Sequence, residues 1–71
     1  MRNILERINV RRVSPERLGE VIEHRTPHGC FLTKEGRKWV AVDNSTGDAW
    51  TEEFSRKCQA IRWLRGKFEV N

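Results

Sequence analysis

The segment Lys38-Trp39-Val40-Ala41-Val42-Asp43 sets four apolar residues in a row and is followed at once by Asn44-Ser45-Thr46-Gly47. The first reads as a strand. The second is turn chemistry, because Asn and Gly tolerate the positive φ that a short hairpin requires. Asp48-Ala49-Trp50-Thr51-Glu52-Glu53-Phe54 then reads as the returning strand. Pairing Asp43 with Asp48 across this turn sets Val42 opposite Ala49, Ala41 opposite Trp50 and Trp39 opposite Glu52. Side chains alternate along a strand, so Trp39, Ala41, Trp50 and Phe54 share one face and Val40, Val42, Ala49 and Thr51 the other. Neither face is polar, whereas an antiparallel sheet with one wet face shows polar residues there. Two covers are therefore required. One is the C-terminal helix; the other is the N-terminal segment or a second copy of the chain.

The flanking sequence supplies candidates for both. Upstream, Cys30-Phe31-Leu32-Thr33 reads as a further strand, closed by a turn over Glu35-Gly36, which makes a three-stranded antiparallel meander. Downstream, Ser55 is placed to cap a helix over residues 56–65. Ile61 and Leu64 stand three apart on it, with Lys57, Ala60 and Phe68 on the same side and Gly66 at its C-terminal boundary. At 100° per residue Trp63 points off that line and is expected to wrap the sheet edge. Near the start, Ser14-Pro15-Glu16-Arg17 has the form of a helix N-terminus, and Leu18, Val21 and Ile22 follow at i, i+3, i+4. That helix ends before Pro27. Ile4, Leu5 and Ile8 fit a further helical turn, and Ile8-Asn9-Val10-Arg11 fits an added edge strand equally well. The expected fold is thus one small α+β domain over residues 1–71: a three-stranded meander followed by a C-terminal helix, with N-terminal helical structure.

A 71-residue chain has room for a single core. The mean hydropathy of -0.75 is low, yet three Trp and three Phe provide apolar area for that core. No run of apolar residues is long enough to span a bilayer, so no membrane partner is expected. Met1-Arg2-Asn3-Ile4-Leu5-Glu6-Arg7 lacks the apolar stretch of a signal peptide, and two cysteines are too few for a disulfide scaffold. Both point to the cytoplasm.

The net charge of +4 is unevenly spread. Residues 55–71 carry Arg56, Lys57, Arg62, Arg65 and Lys67 against Glu69 alone. The strands carry Asp43, Asp48, Glu52 and Glu53, which repel phosphates. A basic helix beside an acidic sheet places any polyanion contact on the helix, joined by Arg37 and Lys38 of the adjoining hairpin. These cations would hold nucleic-acid phosphates without reading sequence. The alternative class is a protein-interaction or homodimerisation module, such as a phage-type modulator of a host protein, using an aromatic patch of Trp63, Trp39 and Trp50.

Catalytic and metal chemistry fare less well. His24, His28 and Cys30 cluster around a Pro-Gly turn and offer three ligands, whereas a structural zinc site takes four. Cys30 with a histidine, or Asp48 with Glu52, needs a desolvating cleft to become reactive. No phosphate-binding glycine loop or other catalytic motif is present. No enzyme activity, metal or cofactor is expected.

The order strand–strand–strand–helix, with Trp39-Val40-Ala41-Val42 on the middle strand and Trp50 through Phe54 leading to a helix containing Ala60-Ile61, resembles the AP2/ERF and integrase arm-type DNA-binding domains. The resemblance covers about residues 30–65. It implies a three-stranded sheet laid in the major groove, with Arg and Trp of its open face touching phosphates and bases. The stretch from Val42 to Phe54 is also similar to small uncharacterised proteins of Gram-positive bacteria and their phages, which implies no activity.

Overall fold

The computed structural model describes residues 10–66. The elements run β1 (Val10–Arg12), α1 (Pro15–His24), β2 (Cys30–Glu35), β3 (Lys38–Asp43), β4 (Trp50–Phe54) and α2 (Lys57–Gly66). The four strands form one sheet in the order β1-β2-β3-β4. β2, β3 and β4 make the expected antiparallel meander, and β1 adds to its edge parallel to β2. The sheet is therefore four-stranded and mixed, which corrects the three-stranded count. Of the two readings open for residues 8–11, Val10–Arg12 forms the edge strand; Ile4, Leu5 and Ile8 lie outside the described residues.

A parallel neighbour requires a crossover, and α1 is that crossover. Ser14 caps it: the Ser14 hydroxyl accepts from the Arg17 backbone N–H at 3.1 Å, Pro15 opens the first turn and Glu16 meets the positive end of the dipole. It ends at Arg25, whose left-handed φ of 58° lets its N–H return to the Val21 carbonyl at 2.7 Å. Leu18 and Val21 are buried, whereas Ile22 lies at the margin of the packed stripe and is exposed.

Both faces of the sheet are covered over β2 and β3, while β4 stays exposed from Trp50 to Glu53. On one side Leu18 and Val21 of α1 pack against Phe31, Val40 and Val42, joined by Val13 and Ala49. On the other, Ala60 and Leu64 of α2 pack against Cys30, Leu32 and Ala41, with Val10, Trp39, Phe54, Ile61 and Trp63 around them. The N-terminal segment is thus the second cover. α2 begins one residue later than its sequence pattern suggests: the Arg56 carbonyl accepts from Gln59 and Ala60, and Ser55 spends its hydroxyl on the Gln59 side chain at 3.2 Å. Gly66 is its last residue rather than the position beyond it.

The hairpin register also differs. Asp43 pairs with Trp50, Val42 with Thr51, Ala41 with Glu52 and Trp39 with Phe54, so the connection runs over residues 44–49. The shift is by two residues, which preserves the assignment of side chains to faces. Its cause is Asn44, which is fully buried and bonded on every side. The Asn44 side-chain amide donates to the Pro27 carbonyl at 2.9 Å, and its oxygen accepts from the Ala49 N–H at 3.1 Å. The Asn44 backbone exchanges bonds with Gly29 and accepts from Gly47. A two-strand turn signal thus became a loop wrapped around one buried amide. Gly47 sits in it at φ +85°, where a Cβ would stand 3.2 Å from the His28 ring.

Replacing Asn44 with Ala removes the side-chain partners of the partly buried Pro27 carbonyl and Ala49 N–H and leaves a gap where a fully buried amide stood. Urea unfolding of Asn44→Ala should show a loss of about 2–3 kcal/mol, against about 1 kcal/mol for the exposed cap variant Ser14→Ala.

Candidate functional site

The end of the sheet where β2 finishes, β3 and α2 begin and β4 finishes gathers charge from several elements. At its centre is Trp39, half-buried on the α2 side of β3. Its cross-strand neighbours are Lys34 on β2 and Phe54 on β4. The Lys34 ammonium stands 5.7 Å from the Trp39 ring centroid, the Lys57 ammonium of the first turn of α2 also 5.7 Å, and the Arg12 guanidinium of β1 5.0 Å. Four elements therefore meet at one indole. A significant cation–π contact occurs about once per 70–80 residues in folded proteins, so three on a single ring is a concentrated feature.

The carboxylates of this end lie elsewhere. Alternation places Glu35 and Glu53 on the α1 side, and Glu53 holds Lys38 there at 3.3 Å. Glu52 shares the Trp39 face but stands in register with Ala41, a step further along the sheet. Among the described residues, no ion pair engages Arg12, Lys34 or Lys57. Lys57 also occupies the first turn of α2, which contains no acidic residue, so its charge adds to the positive end of the helix dipole.

The residues singled out by sequence divide accordingly. Lys57 belongs to the cluster, and Arg37 in the β2–β3 turn and Arg56 just before α2 lie at the same end, both exposed. Lys38 is on the opposite face. Arg62 is exposed and, at 100° per residue, sits across the helix axis from Ala60 and Leu64. Arg65 is exposed about two helical turns, ~12 Å, beyond Lys57. Neither joins Trp39, and Lys67 lies outside the described residues. Trp63 wraps the β4 side as its helical phase predicts, with its ring 5.9 Å from Phe54 and tilted by 49°. Trp50 pairs with Asp43 at the far end of β4 and is 57% exposed, so the three tryptophans do not form one patch.

Sequence reasoning missed Arg12 and Lys34. A turn over Gly36-Arg37 with Glu35 opposite Lys38 brings Lys34 beside Trp39, so strand pairing alone was the usable signal. Nothing in Val10-Arg11-Arg12 announces a strand that crosses back in parallel.

The sheet's other end holds the buried thiol. The Cys30 Sγ donates to Asp43 Oδ1 at 3.9 Å, and the same oxygen accepts from the Ser45 N–H and hydroxyl. Burial, reinforced by the neighbouring Asp43 carboxylate, pushes the Cys30 thiol up to about 12. A thiol so held is an inert core group rather than a nucleophile or ligand. Among the described residues no three His, Cys, Asp or Glu side chains are grouped to hold a metal, and no helix is long and apolar enough to cross a membrane. Comparison with family models, with curated proteins and with solved structures finds no match.

The raised thiol has a consequence for alkaline stability. The folded chain keeps the Cys30 proton while the unfolded chain loses it near the ordinary value of 9.0, so unfolding releases a proton and stability falls as pH rises above that point. Unfolding midpoints measured across this range should decline more steeply in the native chain than in Cys30→Ala. Iodoacetamide should label only the exposed Cys58 in buffer and both cysteines in urea.

Proposed function

We propose that this chain is a small non-enzymatic binding module that contacts nucleic-acid phosphates through the basic end of its sheet. The surface comprises Arg12, Lys34 and Lys57 around Trp39, flanked by Arg37 and Arg56. The single observation that carries the reading is the convergence of three cations from three elements on one ring, with no carboxylate of the described residues paired to them. Cations gathered for stability alone are ordinarily interleaved with acids, as Arg17 is with Glu20 on α1. Like charges sharing one ring lie within about a Debye length, ~10 Å at 0.1 M salt, and repel one another. A phosphate placed among them relieves that repulsion, and Arg and Lys together give it planar and point-like donors. The covered centre of the sheet also argues for this end as the contact: α1 lies over one side of β2 and β3 and α2 over the other. The exposed β-surface left for a groove-reading mode is β4, whose Glu52 and Glu53 repel phosphates.

A protein-interaction role is the second reading. The exposure of Trp50 on the edge strand β4 favours it, while Glu52 and Glu53 on the same strand oppose pairing with a second copy.

Salt titration separates the two. Affinity for a random duplex or single strand should fall steeply between 50 and 200 mM salt, with a slope of ~0.7–0.9 per phosphate contacted. Lys57→Ala should weaken binding and reduce that slope by about one, whereas Arg62→Ala should leave both nearly unchanged. Absence of measurable binding at low salt excludes the nucleic-acid reading. Loss of self-association or partner capture in Trp50→Ala would establish the second.

A further inference from the structure

We infer that the Trp39 cluster is a cradle for the phosphodiester group itself, with the indole acting as a positioning residue for three cations and not as a platform for a base. The inference rests on the nucleic-acid reading and specifies what that site recognises.

Tryptophan in a basic surface ordinarily suggests stacking, because every base offers a π-face to an open ring. Trp39 offers only part of its ring. It is half-buried against the α2-side core of Leu32, Ala41 and Leu64, and it has Arg12 at 5.0 Å and Lys34 and Lys57 at 5.7 Å from its centroid. A base stacking there would have to displace the cations that attract its own phosphate. The ring has a different use. Lysine and arginine stems are flexible, and ordering three of them around a ligand is entropically costly. A shared quadrupole attracts all three heads to one place before the ligand arrives, so less freedom is lost on binding. The elements that deliver them are fixed by the sheet and core: Lys34 by its pairing with Trp39, Arg12 by the β1–β2 ladder, and Lys57 by the docking of α2 through Ala60 and Leu64. The donor set, a planar guanidinium beside two ammonium groups, matches a tetrahedral oxyanion and contains no acceptor for the amino group of a base.

Recognition should accordingly follow phosphate charge and not base stacking. The test compares a fluorescently labelled oligothymidylate with an abasic deoxyribose-phosphate strand of the same length, titrated with the full chain at low salt. Affinities within about threefold of each other support the inference, and a larger loss for the abasic strand overturns it while leaving nucleic-acid binding intact. If neither strand binds, both the inference and the reading beneath it fail. The positioning role is tested with Trp39→Phe, which retains a π-face, and Trp39→Leu, which retains only bulk. With folding verified by circular dichroism, Trp39→Phe should keep the native salt slope and Trp39→Leu should lower it for both strands alike. An unchanged slope in Trp39→Leu removes the ring from the site. Because Trp39 contributes to the core, the exposed variant Lys34→Ala provides an independent check: it should weaken both strands by the same factor, and weakening of the thymidylate alone counts against the cradle.

Discussion

Val40 and Val42 project to one side of β3 while Trp39 and Ala41 project to the other, and neither pair is stable against water. This double-sided burial governs the architecture. A strand with one apolar face needs a single partner layer; this one needs two, and a chain of 71 residues must find both within itself or in a second molecule. It finds them within. α1 brings Leu18 and Val21 to the first side and α2 brings Ala60 and Leu64 to the second. Because α1 precedes the meander, the chain must cross over the sheet to return, and the crossover is what adds β1 in parallel beside β2.

Covering both faces at the centre of the sheet determines where recognition can occur. With the broad surfaces of β2 and β3 occupied, the ends of the sheet, its exposed edge strand β4 and the outer helical surfaces remain. The two ends differ in chemistry. One is a buried polar knot in which Asn44 ties the β3–β4 connection to the Pro27–Gly29 segment and Asp43 gathers the Ser45 and Cys30 donors. Its buried groups satisfy each other, and beside them the exposed Trp50 is the large apolar side chain that faces outward. The other end is open and cationic, and its hydrogen-bonding capacity faces solvent. The division between an internally satisfied end and an outwardly unsatisfied one follows from residue type and strand register together.

Much of this was legible in the residues themselves. The alternation of Trp39, Val40, Ala41 and Val42 announced two buried faces, Ser14-Pro15-Glu16 announced α1, and the spacing of Ala60, Ile61 and Leu64 announced α2. What escaped were features decided by tertiary partners. Asn44 reads as a turn residue, and only the presence of Pro27, Gly29 and Ala49 around it turns a tight hairpin into a six-residue loop. Ile8-Asn9-Val10-Arg11 fits an edge strand and a helical turn alike, and it is the open hydrogen bonds of β2 that decide for a strand over Val10–Arg12 and for its parallel sense. The candidate site shared that fate. Counting cations along α2 pointed to Arg62 and Arg65, but a helix distributes consecutive charges around its axis, and the cluster instead drew Arg12 and Lys34 from strands far away in the chain.

The parallel edge strand carries an implication of its own. Among the described residues it spans Val10–Arg12 and brings Val10 to the α2-side core. It also bears the guanidinium nearest the indole, while the two ammonium groups come from β2 and α2. A ligand seated on the proposed cluster would therefore bridge the sheet's edge to its interior and to a helix, so that occupying the site and holding the edge in place become one equilibrium.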